Sequence, residues 1–288
     1  MIVRGWLHGN TVVLPGPRPA LIDTGYVTGA AALIERVEAL GGFPIESLAE
    51  ILLTHVHSDH AGGCAALQRR SDARTRAHPD CATLVREWDP RKLWLEGIEQ
   101  RLPRFRIDGI LTPGDRVVAG GLEWEIIDAP GHATGGLCFY SRARKLLITG
   151  DALWRDGFGL LNVPIEGARC IELTRRTLDS LARLEVELVI PGHGRPFRDF
   201  DDALARARRH LAMYRDDPRG AWRRGLRSSV AFWLLANPGA PRRELEDMLR
   251  AALPGRSLEP LLESLLARGI MVEEATRVFP GARLQRID

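Results

Sequence analysis

The 288-residue chain contains almost no lysine and no long apolar run. Lysine stands only at positions 92 and 145, so nearly all of the 40 basic residues are arginine. No stretch approaches the roughly 18 consecutive apolar residues of a membrane helix, and the N-terminal residues lack a signal-peptide core. These absences predict a cytoplasmic protein that does not act at a membrane. A composition of 45% hydrophobic and 27% charged residues also excludes a disordered chain.

The chain also lacks the residue spacings of a thiolate metal site and of a serine nucleophile. Its cysteines, Cys64, Cys81, Cys138 and Cys170, include no Cys-x-x-Cys pair, which predicts reduced thiols in small apolar positions. No Gly-x-Ser-x-Gly sequence is present either. A covalent serine mechanism is therefore not indicated.

Histidine, in contrast, is concentrated in one place. Three of the eight histidines fall in residues 54–60, Thr-His-Val-His-Ser-Asp-His, directly after the apolar run 51–53. A strand that ends at a His-x-His pair brings two imidazoles to one point, and the Asp-His turn directs further ligands to a neighbouring point. An isolated histidine is more often a residue without a metal, but this density favours a metal site.

Further side chains that can bind metal follow strand-like runs that end in glycine turns. His132 follows Pro-Gly after residues 124–127, Asp151 follows Gly150, and His193 follows a second Pro-Gly after residues 186–190. Glycine lets the backbone turn sharply and approach an ion without a Cβ atom. Each turn alone is a weak signal, but together with residues 54–60 they indicate a single site.

This set of residues resembles the five-motif signature of the metallo-beta-lactamase superfamily over residues 20 to 195, and its Asp-His form resembles glyoxalase II and RNA-processing nucleases. The resemblance implies an α/β fold, the four-layered αββα sandwich. It also implies the role of each residue. The first metal would be held by His55, His57 and His132, the second by Asp59, His60 and His193, with Asp151 bridging both and Asp23 orienting ligands from behind the site.

The chemistry of the donors supports the same interpretation. Five imidazoles and two carboxylates form a set of borderline softness that suits zinc, iron or manganese, with no thiolate to select one metal. We therefore expect two divalent ions as cofactors, with zinc first. Water held between two such ions is a hydroxide near neutral pH, and Asp59 or Asp151 is the nearest catalytic candidate for moving a proton.

The sequence predicts two domains, a catalytic domain over residues 1–198 and a helical domain over residues 199–288. The first contains an expected helix at about residues 28–40, a second helix from Asp59 through Leu67, and a mainly helical insertion at 84–106 that is either a lid or a surface helix. The second contains three expected helices and a final hairpin. This layout resembles a winged-helix module, as in the beta-lactamase-like mitochondrial endoribonuclease and its bacterial relatives.

Residues 204–227 contain eight arginines and two acidic residues, interleaved with aromatic side chains. Such a segment fits either a single-stranded RNA contact or a solvated helix face beside the active-site mouth. The small net charge of +3 and the general preference of the chain for arginine favour the solvated face.

These observations predict a dinuclear metal-dependent hydrolase for a small thioester, ester or lactone. A metal-dependent endoribonuclease is the first alternative, and an iron-dependent sulfur dioxygenase with a single metal is the second. The expected partner is a small-molecule substrate rather than RNA, and no basic cluster beside Tyr140 indicates glutathione binding. The sequence leaves the oligomeric state open, with a homodimer as one option.

Overall fold

The computed structural model describes residues 1–96, 100–252 and 257–285 of the chain. Short strands in the N-terminal part form a first sheet, and the helices between them cover its outer face. These elements are β1 (Val12–Leu14), β2 (Ala20–Ile22), α1 (Ala30–Gly41), β3 (Glu50–Leu52), α2 (Ser58–Ala61), α3 (Cys64–Arg70), β4 (Arg74–Ala77), α4 (Pro79–Glu87) and β5 (Gly109–Ile110). The strand order is β1-β2-β3-β4-β5, with β1 and β2 antiparallel and the later neighbours parallel.

A second sheet follows along the chain and has helices on its own outer face. Its elements are β6 (Arg116–Ala119), β7 (Leu122–Asp128), β8 (Leu137–Ser141), β9 (Leu146–Gly150), α5 (Val163–Glu166), α6 (Arg169–Leu181), β10 (Leu188–Pro191) and α7 (Phe200–Asp216). The strand order is β10-β9-β8-β7-β6, and β10 and β9 form the parallel pair of this otherwise antiparallel sheet.

Alternating side chains pack the two sheets face to face. In β8, Leu137 and Phe139 point into the cluster between the sheets, whereas Cys138 and Tyr140 point toward the outer helices. The strands of the first sheet alternate in the same way, because successive side chains of a strand lie on opposite faces. The layers are therefore helix, sheet, sheet and helix, which confirms the predicted αββα sandwich. Loss of a buried ring such as Phe139 from its centre costs about 3–5 kcal/mol.

The C-terminal residues form a further group of elements with a separate apolar cluster. They are α8 (Pro218–Ala236), β11 (Ala240–Pro241), α9 (Arg242–Ala252), α10 (Glu259–Ala267), β12 (Met271–Glu274), β13 (Arg277–Pro280) and α11 (Ala282–Gln285). The three strands form an antiparallel sheet in the order β11-β13-β12. Helices beside a hairpin are the layout that the sequence predicts, and the winged-helix identity of this module stays a prediction.

The packing places α7 with the sandwich rather than with the C-terminal group. Its side chains Phe200, Leu204 and Leu211 are buried against the second sheet and α6, and the separate C-terminal cluster begins at Leu226. The predicted boundary between residues 198 and 199 therefore precedes a helix that completes the core of the first domain. The division into two domains stays a prediction.

Two expected helices differ from the observed ones. The helix expected from Asp59 to Leu67 is divided into α2 and α3, because the N–H of Gly63 donates to Thr24 Oγ1 at 3.1 Å and the chain turns there. The expectation of a mainly helical insertion at 84–106 is wrong for its described residues. Helix α4 ends at Glu87, turns follow up to residue 96, and residues 100–106 have no regular secondary structure. Trp88 and Trp94 adopt left-handed backbone conformations, with φ of 54° and 58°, which helical continuation excludes.

No helix in the described part of the chain is both long enough and apolar enough to cross a membrane.

Candidate metal centre

The loop that follows β3 carries the His-x-His pair and is tied to both sheets. The N–H of Thr54 donates to Asp23 Oδ1 at 2.8 Å. The carbonyl oxygen of Thr54 accepts from the N–H of Leu137, at the start of β8, at 2.8 Å. Because these bonds hold the loop at one edge of the sandwich, His55 and His57 are both buried there.

The first ligand cluster consists of His55, His57 and His132, whose ligand atoms lie within 4.8 Å of one another. His57 Nδ1 lies 2.9 Å from His132 Nε2. His132 Nδ1 lies 2.8 Å from the carbonyl oxygen of Leu160, an acceptor, so the Nε2 lone pair faces the cluster. His55 Nε2 is buried and has no hydrogen-bond partner in the described part of the chain. Burial of a ring nitrogen without a partner destabilises the folded state unless a ligand binds that nitrogen. These imidazoles therefore fit a divalent ion.

The second ligand cluster consists of Asp59, His60, Asp151 and His193, and its ligand atoms also lie within 4.8 Å of one another. His193 Nε2 lies 3.1 Å from Asp59 Oδ2. His60 Nε2 is buried and forms no hydrogen bond with any described residue, although Asp151 Oδ1 lies 3.3 Å away. This mixture of imidazole and carboxylate donors fits a second divalent ion.

Asp151 lies between the two clusters, with one oxygen toward each. Its Oδ1 is 3.3 Å from His60 Nε2 and 3.8 Å from His193 Nε2, whereas its Oδ2 is 3.5 Å from His132 Nε2. The indole N–H of Trp154 donates to Oδ1 at 3.1 Å and fixes the carboxylate. This is the placement that a carboxylate shared by two ions requires.

Asp23 lies behind the second cluster and sets the orientation of His60. Its Oδ2 lies 2.8 Å from His60 Nδ1 and accepts from Thr54 Oγ1 at 2.7 Å. A carboxylate acceptor at Nδ1 fixes the proton there, so the lone pair of Nε2 points into the cluster. Asp23 itself is almost fully buried and has a φ of 59°, a left-handed conformation that aspartate tolerates better than most residues.

Asn10 fixes the turn that carries His193. Its side-chain N–H groups donate to the carbonyl oxygens of Pro191 at 2.9 Å and Gly194 at 2.8 Å. Asn10 lies far from His193 in sequence and belongs to none of the metal-ligand motifs, so the sequence analysis did not predict this role.

Glycines let the backbone pass close to the ligands, as the sequence predicts for Gly192. A Cβ atom at Gly159 would lie 2.5 Å from His132 Nδ1 and 2.8 Å from Asp151 Cβ. A Cβ atom at Gly192 would collide with Asp151 Oδ1. Larger residues at these positions would displace the ligands.

Tryptophan rings lie beside the two clusters. Trp94 belongs to the segment that the sequence analysis placed over the metal site, whereas Trp6 was not predicted there. The Trp94 ring lies 4.1 Å from the His57 ring, and its indole N–H donates to Glu166 Oε1 at 3.1 Å. Trp6 stacks on His193 with 5.9 Å between ring centroids and an angle of 13° between the planes. Isolated tryptophans form no motif, so only the fold reveals their position.

Burial and neighbouring charges favour the metal-binding protonation form of three candidate ligands, His55, His57 and Asp151. Burial lowers the pKa of both His55 and His57 well below the ordinary histidine value, and neighbouring imidazoles lower it further. Burial alone raises the pKa of Asp151, but His193 and His60 outweigh burial and hold that pKa well below its usual range. Neutral imidazoles and an ionised carboxylate are the ligand forms of these groups.

His60 differs because carboxylates surround it. Burial alone lowers its pKa, but Asp151, Asp59 and Asp23 outweigh burial and raise the pKa well above the ordinary value. A proton and a divalent cation therefore compete for the same position among these carboxylates. The negative charge around Nε2 fits a cation.

A cavity of about 500 Å³ opens onto both clusters. This volume lies within the range of small-molecule pockets, which is about 300–1,000 Å³. Ligand side chains at its base are His57, Asp59, His132, Asp151 and His193. A small molecule in the cavity would therefore contact the candidate metal centre directly.

Several curated proteins are similar to this chain. A hydroxyacylglutathione hydrolase of Ectopseudomonas mendocina (strain ymp) is 28% identical over 77% of this chain and 76% of its own length. A hydroxyacylglutathione hydrolase of Pseudomonas paraeruginosa is 34% identical over 62% of this chain and 57% of its own length. An acyl-coenzyme A thioesterase of Gallus gallus is 27% identical over 57% of this chain and 61% of its own length. The last two are thus matched over less than two thirds of their length.

Solved structures share the fold of this chain. The sequence profile of one protein family also matches the part of the chain that contains the site. A metallo-beta-lactamase family protein of Thermus thermophilus has 22% identity and a TM-score of 0.56, over 94% of this chain and 93% of its own. The di-iron-bound form of the protein TTHA1623 has 26% identity and a TM-score of 0.56, over 71% of this chain and 94% of its own. The profile described as Metallo-beta-lactamase superfamily matches residues 4–193. Because that match includes every residue of both ligand clusters, the chain belongs to the metallo-beta-lactamase superfamily.

Proposed function

We propose that the protein is a dinuclear metal-dependent hydrolase that cleaves a small thioester, ester or lactone. The observation that carries the proposal is the position of Asp151, with one carboxylate oxygen toward each ligand cluster. When bound, two divalent ions would supply an acidic water molecule and positive charge for the oxygen on which negative charge develops. The relatives named as hydroxyacylglutathione hydrolases and acyl-coenzyme A thioesterase support a carbonyl substrate.

Each ligand has a place in this proposal. The first ion would be held by His55, His57 and His132, the second by Asp59, His60 and His193, and both by Asp151. We propose zinc as the metal, because imidazole and carboxylate donors in small clusters suit it. Iron and manganese suit the same donors, and a structural neighbour with 26% identity was solved in a di-iron-bound form.

The chain's own groups would position substrate and move protons. Asp59 lies at the cavity surface beside His193, where its carboxylate can take a proton from the attacking water. Asp23 keeps His60 in one orientation, and the Trp154 indole keeps Asp151 in place. The indole rings of Trp6 and Trp94 beside His193 and His57 lower the local polarity and strengthen these electrostatic contacts.

The contacts of α7 favour a small-molecule substrate over RNA. Arg206 pairs with Asp199 at 2.7 Å, and Arg208 pairs with Asp179 at 3.2 Å. Arginines that neutralise carboxylates of their own chain are less available to phosphates. Arg223 and Arg224, which the RNA hypothesis also invokes, have side chains outside the described residues.

A sulfur dioxygenase is also less favoured. That activity, as the resemblance implies, needs one iron held by two histidines and a carboxylate. The second cluster, with Asp59, His60 and His193, adds a full ligand set that one ion does not need. Hydrolysis with two ions uses all of these residues.

Replacement of Asp151 tests the proposal. In Asp151→Asn the shared negative charge is lost, so we expect metal content to fall from about two ions to about one per chain, with turnover reduced at least about 100-fold. The control is Asp80→Asn, which replaces an exposed aspartate outside the clusters. This variant should keep both the metal content and the turnover of the wild type. The measurements are elemental analysis of the purified protein and hydrolysis of a thioester, lactone and phosphodiester panel. Wild-type turnover in Asp151→Asn would refute the proposed bridge.

A further inference from the structure

The cavity beside the candidate metal centre has walls from both parts of the chain. The sandwich contributes Trp6, Trp94 and Trp154. The C-terminal elements contribute a second set of lining residues that is mostly apolar. Its residues are Leu226, Ala231, Phe232, Leu235, Met248 and Leu284, with Ser228 and Ser229 as polar members.

The C-terminal wall is anchored to the sandwich. Phe232 meets Tyr26 edge to face, with 5.6 Å between the ring centroids. Tyr26 is fully buried, and its hydroxyl accepts from the N–H of Arg101 at 3.0 Å. Phe232 and Leu235, one helical turn apart on α8, therefore face the cavity from a fixed position.

Arginine and lysine are absent from the described lining of the cavity. Away from the candidate metal ligands, the charged side chain among the described lining residues is Glu96. A substrate portion that carried a carboxylate or phosphate past the metal centre into this space would lose hydration without meeting a cation from these residues. An uncharged alkyl group would instead gain from burial.

We propose that this cavity binds the uncharged alkyl chain of an acyl substrate, and that the C-terminal helices select its length. The proposal rests on the proposed hydrolase function for the reaction, but the binding itself does not depend on turnover. In the reaction with a thioester, water oxygen forms a bond to the acyl carbon and the carbon–sulfur bond breaks. One proton of the water reaches the sulfur and the other reaches solvent, which leaves a carboxylate and a thiol.

A chain-length series measures the predicted selection. The substrates are N-acetylcysteamine thioesters with acetyl, butyryl, hexanoyl and octanoyl groups, together with a suberoyl group, which ends in a carboxylate. We expect kcat/KM to rise about fourfold per added methylene, the factor that corresponds to about 0.8 kcal/mol, until the cavity is full. The suberoyl thioester should react at least about tenfold more slowly than the octanoyl one.

One substitution should reverse the charge preference. Leu235→Arg places a cation in the C-terminal wall, so the ratio of suberoyl to octanoyl kcat/KM should rise at least about tenfold. A variant that merely destabilises the fold would lower both values together. Leu266→Arg is the matched control, because Leu266 is an exposed leucine of α10 outside the cavity, 38% exposed. It should leave the ratio unchanged.

Ligand binding keeps the two proposals distinguishable. Octanamide and butanamide serve as probes, because their binding can be measured without any cleavage. Each amide is titrated into the protein while the fluorescence of the cavity tryptophans is followed. Octanamide binding that is tighter than butanamide binding and weakens in Leu235→Arg would support the alkyl site even if the metal-loaded protein cleaves no thioester, ester or lactone. That lack of cleavage would refute the hydrolase proposal alone. Metal-dependent turnover that is insensitive to chain length, with no octanamide binding, would overturn the alkyl site and leave the hydrolase intact. RNA cleavage without octanamide binding would overturn both.

Discussion

Replacement of Asp23 by asparagine offers a sharp test of how the second cluster is built. In the native chain Asp23 Oδ1 accepts from the N–H of Thr54, while Oδ2 faces His60 Nδ1 and accepts from Thr54 Oγ1. An asparagine has one acceptor oxygen and one amide donor in these positions. Asparagine also tolerates the left-handed backbone at this residue, where φ is 59°, so the substitution adds little backbone strain.

Either orientation of the new amide has a cost. With its oxygen toward His60, the NH₂ group meets the N–H of Thr54, and two donors face each other. With its NH₂ group toward His60, the Nδ1 atom must accept, which moves the imidazole proton to Nε2 and removes the lone pair from the cluster. Loss of such an orienting partner typically weakens metal binding about 10- to 100-fold, which corresponds to about 1.4–2.7 kcal/mol.

The assay is competition for metal between the protein and a chromophoric chelator, resolved into a tighter and a weaker step. We expect Asp23→Asn to weaken the affinity of one metal-binding step about 10- to 100-fold. The affinity of the other step should stay within about threefold of the wild-type value. Asp108→Asn is the control, since Asp108 also accepts a backbone N–H, that of Thr75 at 2.9 Å, but at the far side of the first sheet. Equal affinities in wild type and Asp23→Asn, with a folded protein, would refute the orienting role.

Three further predictions concern the surroundings of the centre. Gly159→Ala places a Cβ atom against His132, so we expect elemental analysis to show a loss of metal content, and full content would contradict this packing. Glu166→Leu removes the acceptor of the Trp94 indole, so KM should rise about three- to tenfold at unchanged metal content. An unchanged KM would show that the ring is held by packing alone. Burial raises the pKa of the Cys64 thiol to about 12, so at pH 8 this buried thiol should resist a disulfide reagent until denaturant is added.

The sequence predicted which side chains lie together, because each candidate ligand stands next to a strand end or a glycine turn. His132 and His193 each follow Pro-Gly after an apolar run, and a sandwich of this kind brings such strand ends to one edge. The structure places all seven predicted ligand positions in two adjacent clusters. Their action as metal ligands stays a prediction that the metal measurements test.

Other features depend on contacts between distant segments, and short-range pattern does not encode them. Asn10 and Trp6 reach the His193 turn across the sandwich, and neither belongs to a motif. In α7, apolar residues such as Leu204 and Leu211 recur on one face and pack with the sandwich. The arginines on its other faces give the same segment the composition of a separate tail, so composition alone does not show where this helix packs.

The wide spread of the ligands along the chain has a consequence for biosynthesis. Ligands of the second cluster extend from Asp59 to His193, and β10, which delivers His193, pairs with β9 from the second sheet. At a translation rate of about 5–20 residues per second, the last ligand leaves the ribosome many seconds after the first. Capture of a second ion therefore follows the docking of both sheets, so a fully loaded centre reports that the sandwich has finished folding.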